Sequence, residues 1–130
     1  MDRRMAVELT TEHAAIVATV LDYFEGWFDG DAARMDRALH PALAKRSLGQ
    51  VAAAGADLRS VTKEQMVAWT AGGEGKEVDP GPDRRIDVTV VDVYGNIAGV
   101  VVDSDVYREY LHLVGTDDGW KIVNALWHST

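Results

Sequence analysis

Glu109 is the residue in this chain best placed by type and setting for acid–base chemistry. It stands in Val106-Tyr-Arg-Glu-Tyr-Leu-His-Leu-Val114, and a second run rich in β-branched and aromatic residues, Trp120-Lys-Ile-Val-Asn-Ala-Leu-Trp-His128, follows a short polar segment. Two such runs about a turn ending in Asp118-Gly119 predict a β-hairpin. Asp117-Asp118-Gly119 suits a three-residue loop, a type I turn followed by a left-handed glycine. That register sets Thr116 opposite Trp120 and Glu109 opposite Trp127, with Tyr107 close by on the same face. A carboxyl group against an aromatic wall has its charged form disfavoured, so its pKa rises and it can act as a general acid or base. The plainer reading is a solvated glutamate at a strand end, or one paired with an arginine.

Other polar and aromatic residues are weaker candidates. His40, just before Pro41, can donate to a ligand or titrate near neutral pH; it can equally satisfy the last carbonyls of a helix. Tyr23 and Trp27 share a helix face, and Trp69 lies on a later helix. Each suits core packing, with a polar tip able to reach a cavity. Metal chemistry has no support: His13, His40, His112 and His128 make no pair at ligand spacing, and there is no cysteine. Neither a nucleophile elbow nor a phosphate-binding glycine loop occurs, so no cofactor is expected.

These residues need elements to hold them. Thr10 or Thr11 can cap a helix in which Ile16, Val20, Phe24 and Trp27, flanked by Val17, Leu21 and Phe28, form one apolar stripe of about five turns. Gly30 is a left-handed cap and Asp31 the next N-cap. A short second helix carries Met35 and Leu39 inward and stops at His40 before Pro41. Leu43, Leu48 and Val51 suggest an extended piece, Ala52–Gly55 a loose connection, and a second short strand can follow. Thr62 to Gln65 is a capping box inside a Val61–Met66 hydrophobic staple, opening a helix that passes Trp69 and ends at Gly72-Gly73. Residues 72–85 read as an exposed, mobile loop. Ile86, Val88 and Val90 alternate before Val91 and Val93 change parity, as a bulge near Val90 explains. Gly95-Asn96 then turns the chain into Ile97–Val102.

The hairpin register also sorts the two sheet faces. Leu111, Leu113, Val123 and Ala125 join Tyr107, Glu109 and Trp127 on an inner face. Tyr110, His112, Trp120, Ile122 and Asn124 fall on an outer face suited to a dimer contact.

Composition narrows the class. The 130 residues fit one domain, 1–130, with residues 1–9 as a flexible lead. A formal charge of −8 argues against nucleic acid, which needs a basic footprint. No apolar run approaches the roughly 20 residues of a membrane span, and the N-terminus lacks a signal peptide's apolar core. No membrane partner and a cytoplasmic location are the expectation.

With this order of elements, the chain resembles the nuclear transport factor 2-like superfamily, which includes steroid isomerases, scytalone dehydratase and polyketide cyclases. Within it the residues resemble the branch named "putative lumazine-binding" proteins. Two segments carry the similarity, Tyr23-Phe-Glu-Gly26 through Leu39-His40-Pro41, and Tyr110-Leu-His-Leu113 through Gly119-Trp-Lys-Ile-Val-Asn124 to His128. The resemblance implies an α+β fold, three helices from the N-terminal half packed on a strongly curved, mainly antiparallel, cone-shaped sheet. It also implies a cavity between helices and sheet, and a homodimer through the outer sheet face. The steroid-isomerase branch places a carboxylate base shortly after the second helix, where this chain reads Ala44-Lys-Arg-Ser-Leu48. Proton abstraction of that kind is therefore not expected. Three functions stand against one another. The first is a dimeric binder of an unidentified small molecule, with Tyr23, Trp27, His40, Trp69, Tyr107, Glu109 and Trp127 at its cavity. The second is an isomerase, dehydratase or cyclase using Glu109, and the third a module for protein interaction or dimerisation. The missing base and metal motifs favour the first.

Overall fold

The computed structural model describes residues 3–47 and 58–130. The elements run α1 (Arg3–Asp29), α2 (Ala32–Ala38), β1 (Leu39–Ser47), β2 (Arg59–Val61), α3 (Lys63–Ala71), a 3-10 turn (Gly75–Val78), β3 (Ile86–Tyr94), β4 (Ile97–Ser104), β5 (Tyr107–Thr116) and β6 (Gly119–Ser129). The strands form one curved, open sheet in the order β2-β1-β6-β5-β4-β3. It is mixed, because β1 runs parallel to β6 while every other pair is antiparallel. The expected α+β architecture, helices on one face of a mainly antiparallel sheet, is the one observed.

The core lies between that face and α1. Ile16, Val20, Phe24 and Phe28 recur every fourth residue and are almost wholly buried, against Val100 and Val102 of β4, Leu111 and Leu113 of β5, and Ile122 of β6. The helix begins at Arg3, so Thr10 and Thr11 lie inside it rather than at its cap. The early residues contain no glycine or proline to stop the helix extending beyond the apolar stripe. Its end is as expected. Gly30, at φ 69°, donates to the Trp27 carbonyl while Asp31 donates to that of Gly26, the paired closure of a left-handed glycine cap. The Asp31 side chain then accepts from the Arg34 amide to open α2.

Helix α2 stops at Ala38, two residues earlier than Pro41 alone requires. Leu39 pairs with Ile122 and starts β1, so His40 sits in a strand and caps nothing; its Nδ1 accepts from the Ala42 amide at 3.0 Å. Leu48, Val51 and Ala52–Gly55 lie outside the described residues. The second short strand exists as β2, and the Thr62–Gln65 capping box is formed from both sides. The segment 72–85 is not merely an exposed loop. Its 3-10 turn presses against α1, and a Cβ on Gly75 would stand 2.1 Å from the Trp27 carbonyl oxygen. Arg84, 2.6 Å from Asp29 and 3.2 Å from Asp79, ties the segment's far end to the same helix.

The bulge in β3 is present. Val90 pairs with Val100 and Asp92 with Gly99, leaving Val91 unpaired and 64% exposed. The terminal hairpin differs from expectation near its turn. Thr116 pairs with Gly119, so only Asp117 and Asp118 form the loop, and Gly119 takes φ 100°. A one-residue slip moves side chains to the opposite face. Trp120 and Ile122, expected outside, therefore point inward, and Ile122 is fully buried. Val123 is then the extra residue of a second bulge, between the Leu113–Ile122 and His112–Asn124 pairs, and does not join the inner face as expected. Beyond it the register returns to the expected one, with Glu109 opposite Trp127 and Leu111 opposite Ala125. Tyr110, His112 and Asn124 lie outside and exposed, as expected.

Candidate functional site

A pocket of about 490 Å³ opens between α1, α3 and the sheet at the end where β1, β5 and β6 meet. Its walls are aromatic because four elements each direct a ring into it: Phe24 and Trp27 from α1, Trp69 from α3, Tyr107 from β5 and Trp127 from β6. The rings brace one another. Trp27 Nε1 donates to the Tyr107 hydroxyl at 3.2 Å, Tyr107 meets Trp127 edge to face at 5.1 Å, and its other side stacks on Phe28. Arg59, Gln65 and Glu74 are exposed lining residues and define the polar mouth.

The inner end is a buried polar cluster. Glu109, 2% exposed, points inward from β5; Tyr23, 3% exposed, arrives from α1; Lys45, 7% exposed, arrives from β1. The Tyr23 hydroxyl donates to the Glu109 carboxyl, whose oxygens stand 3.0 and 2.9 Å away. Lys45 Nζ donates to that same hydroxyl oxygen and lies 3.6 Å from Glu109 Oε1. The ammonium also sits 4.8 Å from the Tyr23 ring centroid and 5.7 Å from that of Trp127. Among the described residues no buried side-chain nitrogen or oxygen lacks a hydrogen-bond partner.

Burial dominates the electrostatics. It pushes the Glu109 carboxyl above its ordinary range, against the pull of the Lys45 charge and the Tyr23 hydrogen bond. It pushes the Lys45 amine down, with Glu109 acting the other way. Burial, and then the charge of Glu109, hold the Tyr23 phenol well above its usual value. Neutral and ionic forms of the pair are thereby brought closer together than in water. Lys45, Tyr23 and Glu109 form one chain of hydrogen bonds along which a proton can pass without leaving the protein.

The structure brings Tyr23, Trp27, Trp69, Tyr107, Glu109 and Trp127 to this pocket. His40 is not among its lining residues, because it belongs to the beginning of β1 while the pocket meets that strand at Lys45 and Ser47. Lys45 was not singled out from sequence. The signal was strand alternation, since Leu43, Lys45 and Ser47 share one parity and all three are buried. Among the described residues no cluster of three or more histidine, aspartate or glutamate side chains could hold a metal. No helix there is long and apolar enough to cross a membrane.

These helices on one curved, mixed sheet make the nuclear transport factor 2-like, cystatin-like fold. A nuclear transport factor 2-like protein of unknown function from Silicibacter pomeroyi superposes with a TM-score of 0.72 at 20% identity, over 93% of this chain and 98% of that one. Another, from Shewanella baltica, gives 0.74 at 18% identity, over 93% and 95% of the two chains. A third, with a cystatin-like fold, from Novosphingobium aromaticivorans, gives 0.65 at 15% identity, over 95% and 85%. The family described as "Putative lumazine-binding" matches residues 11–128, and the chain belongs to it. No curated protein matches the chain.

Proposed function

We propose that the pocket binds a small molecule with a flat apolar body and a polar group that meets the Lys45–Tyr23–Glu109 cluster. The observation that carries this reading is the placing of a buried ion pair at the inner end of an aromatic pocket. A buried pair contributes little net stability compared with apolar residues of the same volume, which supports a role for it in meeting what the pocket holds. About 490 Å³ lies within the range of small-molecule sites, which combine apolar walls with a few convergent polar groups. Lumazine, named in the family's description, is a flat ring system with polar edges and is the first probe to try. Three of the four tryptophans, Trp27, Trp69 and Trp127, line the pocket, so occupancy can be read in their fluorescence. A panel of flat heterocycles and aromatic acids, lumazine among them, is expected to include one that quenches saturably, with the effect weakened in Trp69→Ala and Trp127→Ala. A panel with no saturable member up to solubility would refute the reading.

The hydrogen bond from Tyr23 to a carboxyl raised by burial supports a second reading, in which Glu109 exchanges a proton with the bound molecule. The outer sheet face supports a homodimer, since Tyr110 is 53% and Leu126 47% exposed beside His112 and Asn124.

A further inference from the structure

We propose that Lys45 is a covalent-binding residue that condenses with an aldehyde or ketone in the pocket to form an imine. This rests on the pocket being a ligand site, and it names the class of ligand: a carbonyl compound with a flat or aromatic body. The geometry carries it. Lys45 is nearly buried and lines the pocket, its Nζ donates to the Tyr23 phenol, and a Glu109 carboxyl oxygen lies 3.6 Å from it. Nucleophilic lysines are made by desolvation in apolar surroundings next to a group that takes their proton. Here the walls around the amine are the Tyr23 and Trp127 rings. The downward push of burial on the amine and its upward push on Glu109 act in the same sense.

The proton path closes without an outside base. The Lys45 ammonium gives a proton to the Tyr23 oxygen as Tyr23 gives its own to Glu109, leaving a free amine, a phenol and a carboxylic acid. The amine lone pair then forms a bond to the carbonyl carbon while the C=O π pair moves to oxygen. Glu109, through Tyr23, returns its proton to that oxygen, and the ammonium proton of the adduct passes back along the same chain. In the resulting carbinolamine the C–O bond breaks with the carboxyl proton, releasing water, as nitrogen forms the C=N bond. The products are a protonated imine facing the Glu109 carboxylate, plus one water. Net charge in the cluster is the same before and after, so the buried site meets no new unpaired ion.

The other lysines provide internal controls. Lys63, Lys76 and Lys121 are the only others in the chain, and Lys63 and Lys121 hold backbone carbonyls near the surface. The experiment treats the intact protein with benzaldehyde and cyanoborohydride near neutral pH, following intact mass, peptide maps and tryptophan fluorescence together. We expect one benzyl group per chain, on Lys45, before any is found on another lysine, as the downward push of burial on this amine implies. Lys45→Arg is expected to abolish it. Glu109→Gln removes the group that holds the Lys45 proton, and is expected to move the pH midpoint of trapping downward, a change that a merely structural role for Glu109 does not produce. Circular dichroism checks that both variants fold. Saturable quenching by benzaldehyde without modification at Lys45 would overturn the imine while leaving the pocket as a ligand site. Labelling spread evenly over the lysines, with no saturable quenching, would overturn the imine and count against the ligand site too.

Discussion

The sharpest test of the buried cluster is Lys45→Met. The substitution keeps an unbranched apolar stem of similar length and deletes the only cation within reach of Glu109 in the cluster, at 3.6 Å. Removing one partner of a buried pair typically costs about 3–5 kcal/mol. The lower end applies here, because Tyr23 still donates to the carboxyl and the carboxyl can escape its charge by taking a proton. The loss is therefore about 3 kcal/mol near pH 8, or roughly 10 °C in melting temperature for a domain of this size. Its pH dependence has a definite sign. Glu109 is already raised above its unfolded value of 4.5, and without Lys45 it rises further. For a raised carboxyl, the associated stability is complete below the unfolded pKa and is lost as pH climbs through the folded one. The deficit of the variant relative to wild type thus shrinks on going from about pH 8 to about pH 5, by about 1.4 kcal/mol for each unit of further rise. Lys45→Met with Glu109→Gln leaves no buried charge in the cluster and is expected to return to within about 1 kcal/mol of wild type. Urea unfolding of the three proteins at both pH values measures all of this. A deficit of equal size at both pH values, or a double variant no better than the single one, would show that the two residues do not meet as a buried pair.

Two further predictions concern what surrounds the site. Gly75→Ala places a methyl carbon 2.1 Å from a backbone oxygen and 2.7 Å from the indole of Trp27, so the 3-10 turn must leave α1. A loss of about 1–3 kcal/mol in thermal or urea unfolding is expected, with a shift in Trp27 emission as its cover moves. Tyr110→Lys with Leu126→Lys sets two charges on the exposed outer face. If that face joins two copies, light scattering shows dimer for wild type and monomer for the variant; a wild-type monomer at micromolar concentration, or a variant still dimeric, refutes the interface.

What was legible in the sequence was whatever rests on local periodicity or local chemistry. The α1 stripe, the Gly30 and Asp31 caps, the Thr62–Gln65 box, the Val91 bulge and the Gly95-Asn96 turn each depend on residues a few positions apart. The terminal hairpin shows where that stops. A two-residue loop shifts the register by one, and a bulge at Val123 shifts it back. Two slips of opposite sense cancel, so Glu109 opposite Trp127 was read correctly through a turn that was read incorrectly. Trp120, Lys121 and Ile122 lie between the slips, so the change of face is confined to them and Val123.

Lys45 escaped for a different reason. Its strand pairs in parallel with β6, some eighty residues along the chain, and no local pattern announces such a pairing. A lysine after a helix reads as surface unless a strand is assigned and the parity of Leu43 is carried forward to Lys45 and Ser47. Once it is, α1, β1 and β5 converge on one buried cluster, and the two ionisable members each need the other to remain in an apolar place. That mutual need makes the site testable. A residue held only by packing can be replaced by another of its size with little change in how stability varies with pH. Replacing Lys45 changes that variation, because its charge, 3.6 Å from the carboxyl, opposes the rise that burial imposes on the proton affinity of Glu109.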